Sequence, residues 1–132
     1  MKWLRSLGFA SAVLVFVGCS DPQHEGKPLG QWMKQARNES PEIRVAAATA
    51  LGKMGRQTEK AIPPLAVLVR DPDQAVRVHA IRALAEIGPA ASETVPTLTA
   101  LLRDDDASVR RAAAGALGRM GNDARTAVPA LT

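Results

Sequence analysis

Apolar residues recur along most of the chain with the spacing of a helix that buries one face. Side chains three or four positions apart lie on the same side of an α-helix. The pattern therefore predicts three long helices, each with one apolar stripe. The stripes are Ile43, Ala47, Leu51 and Met54, then Val76, Ala80, Leu84 and Ile87, and finally Val109, Ala113, Leu117 and Met120.

A shorter apolar pattern precedes each stripe and predicts a second, shorter helix. About two to four residues separate the two patterns, so the two helices of a pair should be antiparallel neighbours. Prolines near the start of the short helices are tolerated there because the first turn has no use for their missing N–H. The apolar residues are Leu65, Leu68 and Val69 in one copy and Leu98, Leu101 and Leu102 in the next, and Trp32, Gln35 and Ala36 occupy these positions in the first copy; the prolines are Pro63, Pro96 and Pro129.

The two patterns repeat together with a period of 33 residues. Residues 63–95 and 96–128 are identical at 14 of 33 aligned positions, and the preceding copy keeps the same register. Helix pairs at a fixed period stack side by side, so the sequence predicts an all-α solenoid. We assign residues 29–132 to the repeat domain, with repeats at about 29–61, 62–94 and 95–127 and the start of a fourth at 128–132.

Residues suited to helix ends flank each long stripe. Ser40, Asp73 and Asp106 precede the stripes, where their side chains can accept a hydrogen bond from the first turn. Pro41 follows at the first helical position, which favours proline. Three glycines follow the stripes and are predicted to adopt the left-handed conformation that commonly ends a helix: Gly55, Gly88 and Gly121.

Residues 71–88 and 104–121 share one motif: Asp-x-Asp, then Val-Arg, then Ala-Leu, and last Ile or Met before Gly. In this the chain resembles the short bacterial HEAT-like repeat. The resemblance implies a right-handed α-solenoid of about three helix pairs, whose second helices line a concave face. It also implies a structural Asp–Arg ladder linking neighbouring turns. Its members are Asp71, Asp104, Arg44, Arg77 and Arg110, with Arg44 expected to lack a fully charged partner because Asn38 replaces Asp in its repeat.

The first residues of the chain have the pattern of an export signal. Lys2 and Arg5 precede a mostly apolar, uncharged stretch over residues 7–18, which is short for a membrane-spanning helix. Cys19 follows, and the chain then becomes polar. Residues 15–19 resemble a bacterial lipoprotein signal, which implies removal of residues 1–18 and acylation of Cys19 with fatty acids such as palmitate. The alternative is an uncleaved membrane anchor that contains an ordinary cysteine.

The resemblance to lipoproteins also implies an address. The protein would be exported and held at the periplasmic face of a bacterial membrane, and Ser20 directly after Cys19 favours the outer membrane over the inner one. Residues 19–28 are polar and contain Pro22, Gly26 and Pro28. They are predicted to form a flexible tether between the lipid and the repeat domain.

Charge and cysteine content exclude several functions. The formal net charge of +4 falls to about +2 once Lys2 and Arg5 are removed, which is too balanced for a nucleic-acid-binding surface. Cys19 is the only cysteine, so neither an intramolecular disulfide nor a cysteine metal cage can form. We therefore expect no nucleic-acid partner.

No residue constellation predicts catalysis. The run Asp104–Asp106 lacks the additional oxygen ligands that a divalent cation needs, so a turn and helix cap is favoured there. His24 and His79 are the only histidines, and periodicity brings no nucleophile near either. We therefore predict that the protein has no catalytic, metal or cofactor site and is not an enzyme.

The best surface candidate lies on the second helices. Their positions facing away from the core carry a mixed but mainly basic set of side chains, which a solvated helix face also explains. As a binding surface, this set favours an acidic or extended protein segment. The set comprises Thr49, Val78 and Glu86 beside the candidate partner-binding residues Lys53, His79, Arg82, Arg111 and Arg119.

Two ends of the array need cover, because terminal repeats expose apolar surface. Trp32 is expected to shield the N-terminal end. Leu131 corresponds to Leu65 and Leu98, so the sequence stops within the first helix of a fourth unit. We expect this end to continue in a longer array or to be covered by a partner or a second copy.

The sequence thus predicts a lipid-anchored protein-interaction or scaffold module with another protein as its partner. Two alternatives remain at this point. One is an accessory or chaperone subunit of an enzyme, as in bilin-lyase-type HEAT proteins. The other is a weak polyanion binder that uses the basic residues of the concave face.

Overall fold

The computed structural model describes residues 22–121. Three short and three long α-helices alternate in this range, and two 3-10 helices precede the second and third short ones. The helices are α1 (Leu29–Gln35), α2 (Pro41–Met54), α3 (Ile62–Leu68), α4 (Gln74–Ile87), α5 (Val95–Leu101) and α6 (Ala107–Arg119), with 3-10 helices at Glu59–Ala61 and Gly88–Thr94. Cys19, the predicted signal and the start of the fourth repeat lie outside the described residues.

The helices form three pairs, each a short helix followed by a long one. The short helices begin at Leu29, Ile62 and Val95, each 33 residues after the last. Five residues join the helices of each pair, slightly more than the sequence indicated. The long helices pack side by side in chain order, α2 on α4 and α4 on α6. The predicted all-α solenoid is confirmed.

One continuous core runs through the three pairs. Leu51, Leu84 and Leu117 occupy the same position in successive long helices, and each is fully buried. Leu65 and Leu98 of the short helices are buried against them. Burial of such side chains, at roughly 1.5–3 kcal/mol each, is what joins neighbouring repeats into one folding unit.

Ile43 departs from its predicted stripe. Its counterparts Val76 and Val109 are fully buried, whereas Ile43 is 37% exposed. Among the described residues, the first repeat has a neighbouring helix pair on one side only, so the first turn of α2 is left uncovered. The prediction of a buried Ile43 was therefore wrong.

Residues 22–28 form a small β-hairpin where a flexible tether was predicted. β1 (Gln23–His24) pairs antiparallel with β2 (Lys27–Pro28). Glu25 and Gly26 form the turn with φ values of 52° and 74°, as the tightest hairpin turns require. The tether prediction is wrong for these residues, because a buried tryptophan anchors the hairpin.

Trp32 covers the N-terminal end of the core, as predicted. Its ring is 3% exposed and its Nε1–H donates to the carbonyl oxygen of His24 at 3.0 Å. The ammonium group of Lys27 lies 4.5 Å from the ring centroid, within the range of a cation–π interaction. The hairpin and Trp32 together close this end of the array.

Two of the three predicted helix caps are present. The Asp73 carboxylate accepts hydrogen bonds from the first turn of α4, and Asp106 does the same for α6. Ser40 does not cap α2; its hydroxyl donates to Glu42 at 2.6 Å, and this bond is the main cause of a lowered Glu42 pKa. Pro41 occupies the first turn of α2 as expected.

The three glycines after the stripes have two different roles. Gly88 and Gly121 have positive φ values of 74° and 69°, as predicted, but the ψ of −140° at Gly88 differs from the left-handed helical conformation expected there. Gly55 has a φ of −61°, so the prediction was wrong there. A side chain at Gly55 would collide with Ile87, and close packing between repeats explains this glycine.

Candidate partner-binding groove

The first rung of the Asp–Arg ladder joins repeats one and two. Arg44 donates from Nε to Asp71 Oδ1 at 2.7 Å and from Nη2 to Asp71 Oδ2 at 3.0 Å. The two side chains are 14% and 6% exposed, and the hydrogen bond to Asp71 raises the pKa of Arg44. The expectation that Arg44 lacks a charged partner was wrong, because its partner belongs to the following repeat.

The second rung joins repeats two and three at a longer distance. Arg77 Nε lies 3.5 Å from Asp104 Oδ2, and this nitrogen is buried without a hydrogen-bond partner. Charge attraction persists at that distance, but the directed bond of the first rung is missing. The second junction is therefore the less tightly bonded of the two.

Each ladder arginine also fastens the turn of its own repeat. Nη1 donates to two successive backbone carbonyls, those of Asn38 and Glu39 for Arg44 and those of Asp104 and Asp105 for Arg110. Arg77 makes the same pair of bonds in its own turn. Each ladder arginine thus binds the turn of its own repeat through Nη1, which leaves the rest of its guanidinium group to contact the next repeat.

The amide of Asn38 performs the backbone role of the ladder aspartates. Its Oδ1 accepts from the Ser40 N–H at 2.8 Å, as Asp71 Oδ2 does from the Asp73 N–H at 3.1 Å. A full negative charge is needed only where an arginine of a preceding repeat faces the side chain. Among the described residues no such arginine faces Asn38, so an uncharged side chain suffices.

The long helices approach closely at the first junction because α2 carries a glycine there. A Cβ at Gly52 would lie 2.6 Å from the Cβ of Ala83 on α4, closer than real Cβ atoms come. One repeat later the equivalent pair is Ala85 and Ala116. Since Ala85 has the Cβ that Gly52 lacks, α4 and α6 cannot approach as closely at this level.

A shallow groove lies on the surface between α4 and α6 at this second junction. Ala85, Ala112, Gly115 and Ala116 give it small residues, and three exposed arginines with one exposed glutamate surround them. Its lining residues are Arg82, Ala85, Glu86, Ser108, Arg111, Ala112, Gly115, Ala116 and Arg119. We call this set the α4–α6 groove.

The charged side chains of the α4–α6 groove come from two helices. Arg111, Gly115 and Arg119 follow one another at four-residue intervals on α6, which places the arginines about 12 Å apart along its axis. Arg82 of α4 holds the position equivalent to Gly115 one repeat earlier. Arg82, Arg111 and Arg119 therefore line the groove together with Gly115, which has no side chain, and Glu86 is the single acidic residue of the lining.

Comparison with protein-family models supports the repeat architecture. The model of HEAT repeats matches residues 63–132, more than half of the chain. The chain belongs to the HEAT-repeat family. The model of the PBS lyase HEAT-like repeat matches residues 43–71 of this HEAT-repeat protein. No curated protein matches it.

The groove contains three of the five predicted partner-binding residues of the HEAT-repeat protein. Arg82, Arg111 and Arg119 line it together. Lys53 is exposed on α2, away from the groove lining, and His79 is half-buried with Nδ1 2.8 Å from the carbonyl oxygen of Ala75. Whether these residues bind a partner stays a prediction.

Val78 was expected on the same exposed face, and that expectation was wrong. Its side chain is 6% exposed and belongs to the core. The glycine at position 115 and the alanine at position 85, which shape the groove, were missed by sequence reasoning. Aligning position 52 with positions 85 and 118 could have revealed the change from glycine to alanine.

The described part of the HEAT-repeat protein shows no other chemistry-bearing cluster. Over residues 22–121 no three side chains of the metal-binding types are grouped as a site. Desolvation raises the pKa of Asp106, but the hydrogen bonds that it accepts as a helix cap, from the Ser108 and Val109 amides, contribute to a net lowering of the pKa.

None of the helices between residues 22 and 121 has the length and apolar content to cross a bilayer.

Proposed function

We propose that this HEAT-repeat protein is a non-catalytic interaction module that holds another protein in the α4–α6 groove. HEAT repeats generally mediate protein–protein interaction or scaffolding. The observation that carries the proposal for this chain is that Arg82, Arg111 and Arg119 line one groove together with Gly115. A site built in this way favours a partner segment with acidic side chains.

The chemistry of the groove suits carboxylates on an extended segment. Guanidinium groups bind carboxylates through two parallel hydrogen bonds, which gives direction as well as attraction. Gly115 and the neighbouring alanines leave room for a partner's backbone to approach the helices closely. The partner would therefore present acidic residues from a strand-like segment instead of a bulky apolar anchor.

Charge reversal tests the groove directly. The triple variant R82E/R111E/R119E is expected to weaken capture of the partner at least about tenfold, because each pair turns from attraction to repulsion. The matched control is R56E/R70E/R103E, which changes the net charge equally at exposed arginines outside the groove. Affinity capture from bacterial membranes, quantified against the unmodified protein, gives the measurement. An equal loss in both triple variants would contradict the proposal.

Polyanion binding by the same arginines has a different salt dependence. Binding dominated by phosphate contacts weakens steeply and linearly with the logarithm of salt concentration. A salt titration of the captured complex therefore separates a folded protein partner from a polyphosphate or nucleic acid. With about three phosphate contacts, a nucleic acid would lose roughly 20- to 40-fold in affinity between 50 and 200 mM salt, and we expect the complex with a protein partner to lose clearly less.

The match of residues 43–71 to the PBS lyase HEAT-like repeat favours a second candidate function. In this alternative the protein is an accessory or chaperone subunit of an enzyme. A chromophore or cofactor that copurifies with the protein, seen in its absorption spectrum, would support this alternative. A colourless protein that captures its partner through the groove supports the first proposal.

We also propose that acylated Cys19 anchors the protein at the periplasmic face of a bacterial membrane, with the outer membrane favoured. Two or three acyl chains on one residue hold a protein at a bilayer, whereas a single chain binds only marginally. The proposal rests on the lipoprotein-like signal and on Ser20 after the cysteine.

Cys19→Ser is expected to abolish incorporation of labelled palmitate and to remove the protein from the lipid-anchored fraction. Because Cys19 is the only cysteine, no second thiol can substitute for it. Intact-mass analysis of the wild-type protein provides the control, since anchoring predicts loss of residues 1–18 together with addition of the acyl groups. Membrane-bound protein that retains residues 1–18 and takes up no palmitate would instead establish the uncleaved anchor.

A further inference from the structure

We propose that the groove between the short helices α1 and α3 lies against the membrane surface when the protein is anchored. This inference rests on the lipid attachment at Cys19 proposed above. The α1–α3 groove is mainly apolar at its base and carries polar and basic residues at its edge. Its apolar members are Met33, Ala36, Pro63, Pro64, Val67 and Leu68.

The first observation is how close the anchor must be to this groove. The backbone N–H of Leu29, the first residue of α1, donates to the carbonyl oxygen of Pro22 at 3.1 Å. Pro22 is therefore fixed beside the start of one wall of the α1–α3 groove. Three residue steps separate Pro22 from Cys19, a reach of at most about 11 Å even when fully extended. Cys19, and with it the start of the acyl chains, must therefore lie within about 11 Å of Pro22.

The second observation is an exposed apolar side chain in the α1–α3 groove. Val67 is 72% exposed, and Ile43, at 37%, is the other large apolar side chain exposed among residues 22–121. Met33 and Pro64 are only half-buried beside it. A lone exposed valine is common on soluble proteins, but here it belongs to an open apolar groove within reach of the anchor.

The third observation is the charge at the edge of this groove. Lys34 at the end of α1 and Arg37 in the turn that follows are exposed and line the groove, with Glu39 beyond them. Basic side chains beside exposed apolar ones are typical of surfaces that lie in the interface of a bilayer containing anionic lipids. The charge pattern fits an anionic lipid surface, and the short connection from Pro22 to the proposed anchor at Cys19 favours that surface over an acidic apolar partner helix.

This orientation assigns different surfaces to the two layers of helices. The short helices α1 and α3 face the lipid, while the α4–α6 groove belongs to the long helices of the other layer. The arginines of the α4–α6 groove therefore remain accessible to a partner when the protein is anchored. Because the connection to the lipid is short, the repeat domain is held in one orientation at the membrane instead of rotating freely.

Site-directed fluorescence of the full-length acylated protein tests the proposal. Val67→Cys introduces the sole free thiol for a polarity-sensitive label, because Cys19 is blocked by lipid, and Ser108→Cys in the α4–α6 groove is the matched control. Vesicles of phosphatidylcholine and phosphatidylglycerol carry either a lipid-bound or an aqueous quencher. We expect the label at position 67 to be quenched several-fold more by the lipid-bound quencher than the label at position 108.

The outcomes separate the anchor from the orientation. Protein that floats with the vesicles while its position 67 label behaves like the position 108 label overturns the orientation and leaves the anchor intact. A label at position 67 shielded from both quenchers also overturns it, since a second copy or a protein partner then covers the groove. Protein that does not float overturns both. Lys34→Glu with Arg37→Glu should reduce lipid quenching in phosphatidylglycerol vesicles and leave it unchanged in neutral ones.

Discussion

Replacing Asp71 with alanine is expected to lower the free energy of unfolding by about 3 kcal/mol, the scale on which buried ion pairs fail when one partner is removed. The substitution leaves the guanidinium group of Arg44 without its two hydrogen bonds at 2.7 and 3.0 Å, in a site where that side chain is 14% exposed. It also removes the acceptor of the Asp73 N–H. Urea denaturation followed by circular dichroism measures the loss.

Two variants identify the cause of that loss. Asp104→Ala is expected to cost half as much or less, because its arginine lies 3.5 Å away without a directed bond. Asp71→Asn should fall between wild type and Asp71→Ala, since an amide can keep the turn bond as Asn38 does. If Asp104→Ala costs as much as Asp71→Ala, the unequal ladder has no energetic consequence and our account of the two junctions is wrong.

Gly52→Ala is expected to destabilise the protein by about 1–2 kcal/mol, although alanine is the better helix former. Overpacking of a core typically costs about 1–3 kcal/mol, and removing a helix glycine returns up to about 1 kcal/mol. The new Cβ would lie 2.8 Å from the Ala83 Cα, a backbone atom that cannot turn away. Thermal and urea unfolding of the same variant provide the measurement.

Gly115→Ala is the matched control for this effect. Gly115 also lies inside a long helix, but a Cβ there meets nothing within 4 Å. We expect it to stabilise the protein by about 0.5–1 kcal/mol through helix propensity alone. Opposite signs for the two glycine substitutions would establish the close approach of α2 and α4, whereas stabilisation by both would show that the helices are not in contact at Gly52.

The unequal junctions explain why a groove lies between α4 and α6. Where α2 has Gly52, α4 has Ala85, and this one methyl group prevents the close approach seen at the first junction. The longer Arg77–Asp104 contact belongs to the same junction. Variation of one residue between otherwise similar repeats therefore accounts for the α4–α6 groove.

The repeat architecture could be predicted because it depends on local pattern. The 33-residue period, the apolar stripes and the caps at Asp73 and Asp106 all involve residues within one helix or one turn. Such features follow from helix geometry and capping chemistry alone. Two predictions failed in the first repeat, because Ser40 bonds to Glu42 instead of the helix and Ile43 has a neighbouring helix pair on one side only among the described residues.

The remaining features depend on contacts between repeats, which a single period does not show. The bond from Arg44 to Asp71 crosses 27 residues, so aligning columns within one repeat concealed it. Gly55 resembles a helix-ending glycine in sequence but makes room for Ile87. The hairpin was missed because its two strands have two residues each and are held by contacts with Trp32 and with α2, which lie outside the hairpin's own sequence.

The candidate site was predicted in part for the same reason. Helical spacing placed Arg82, Arg111 and Arg119 on exposed faces, and the structure brings them to one groove. Spacing alone also placed Val78 there, although the side chain is buried in the core. Lys53 lies on the exposed face of α2, as the arginines lie on the exposed faces of α4 and α6, but it does not lie at the junction between those two helices. Helix periodicity determines which face a residue occupies and does not determine which neighbouring helix is near.

Site-specific photo-crosslinking in living cells tests the central claim most directly. A photoreactive residue at position 108, in the α4–α6 groove, is compared with one at position 100 on the exposed side of α5 in the same repeat. We expect a discrete crosslinked protein from position 108 that disappears in the R82E/R111E/R119E background and is absent at position 100. Crosslinks to the same protein from position 100, with none from position 108, would contradict it.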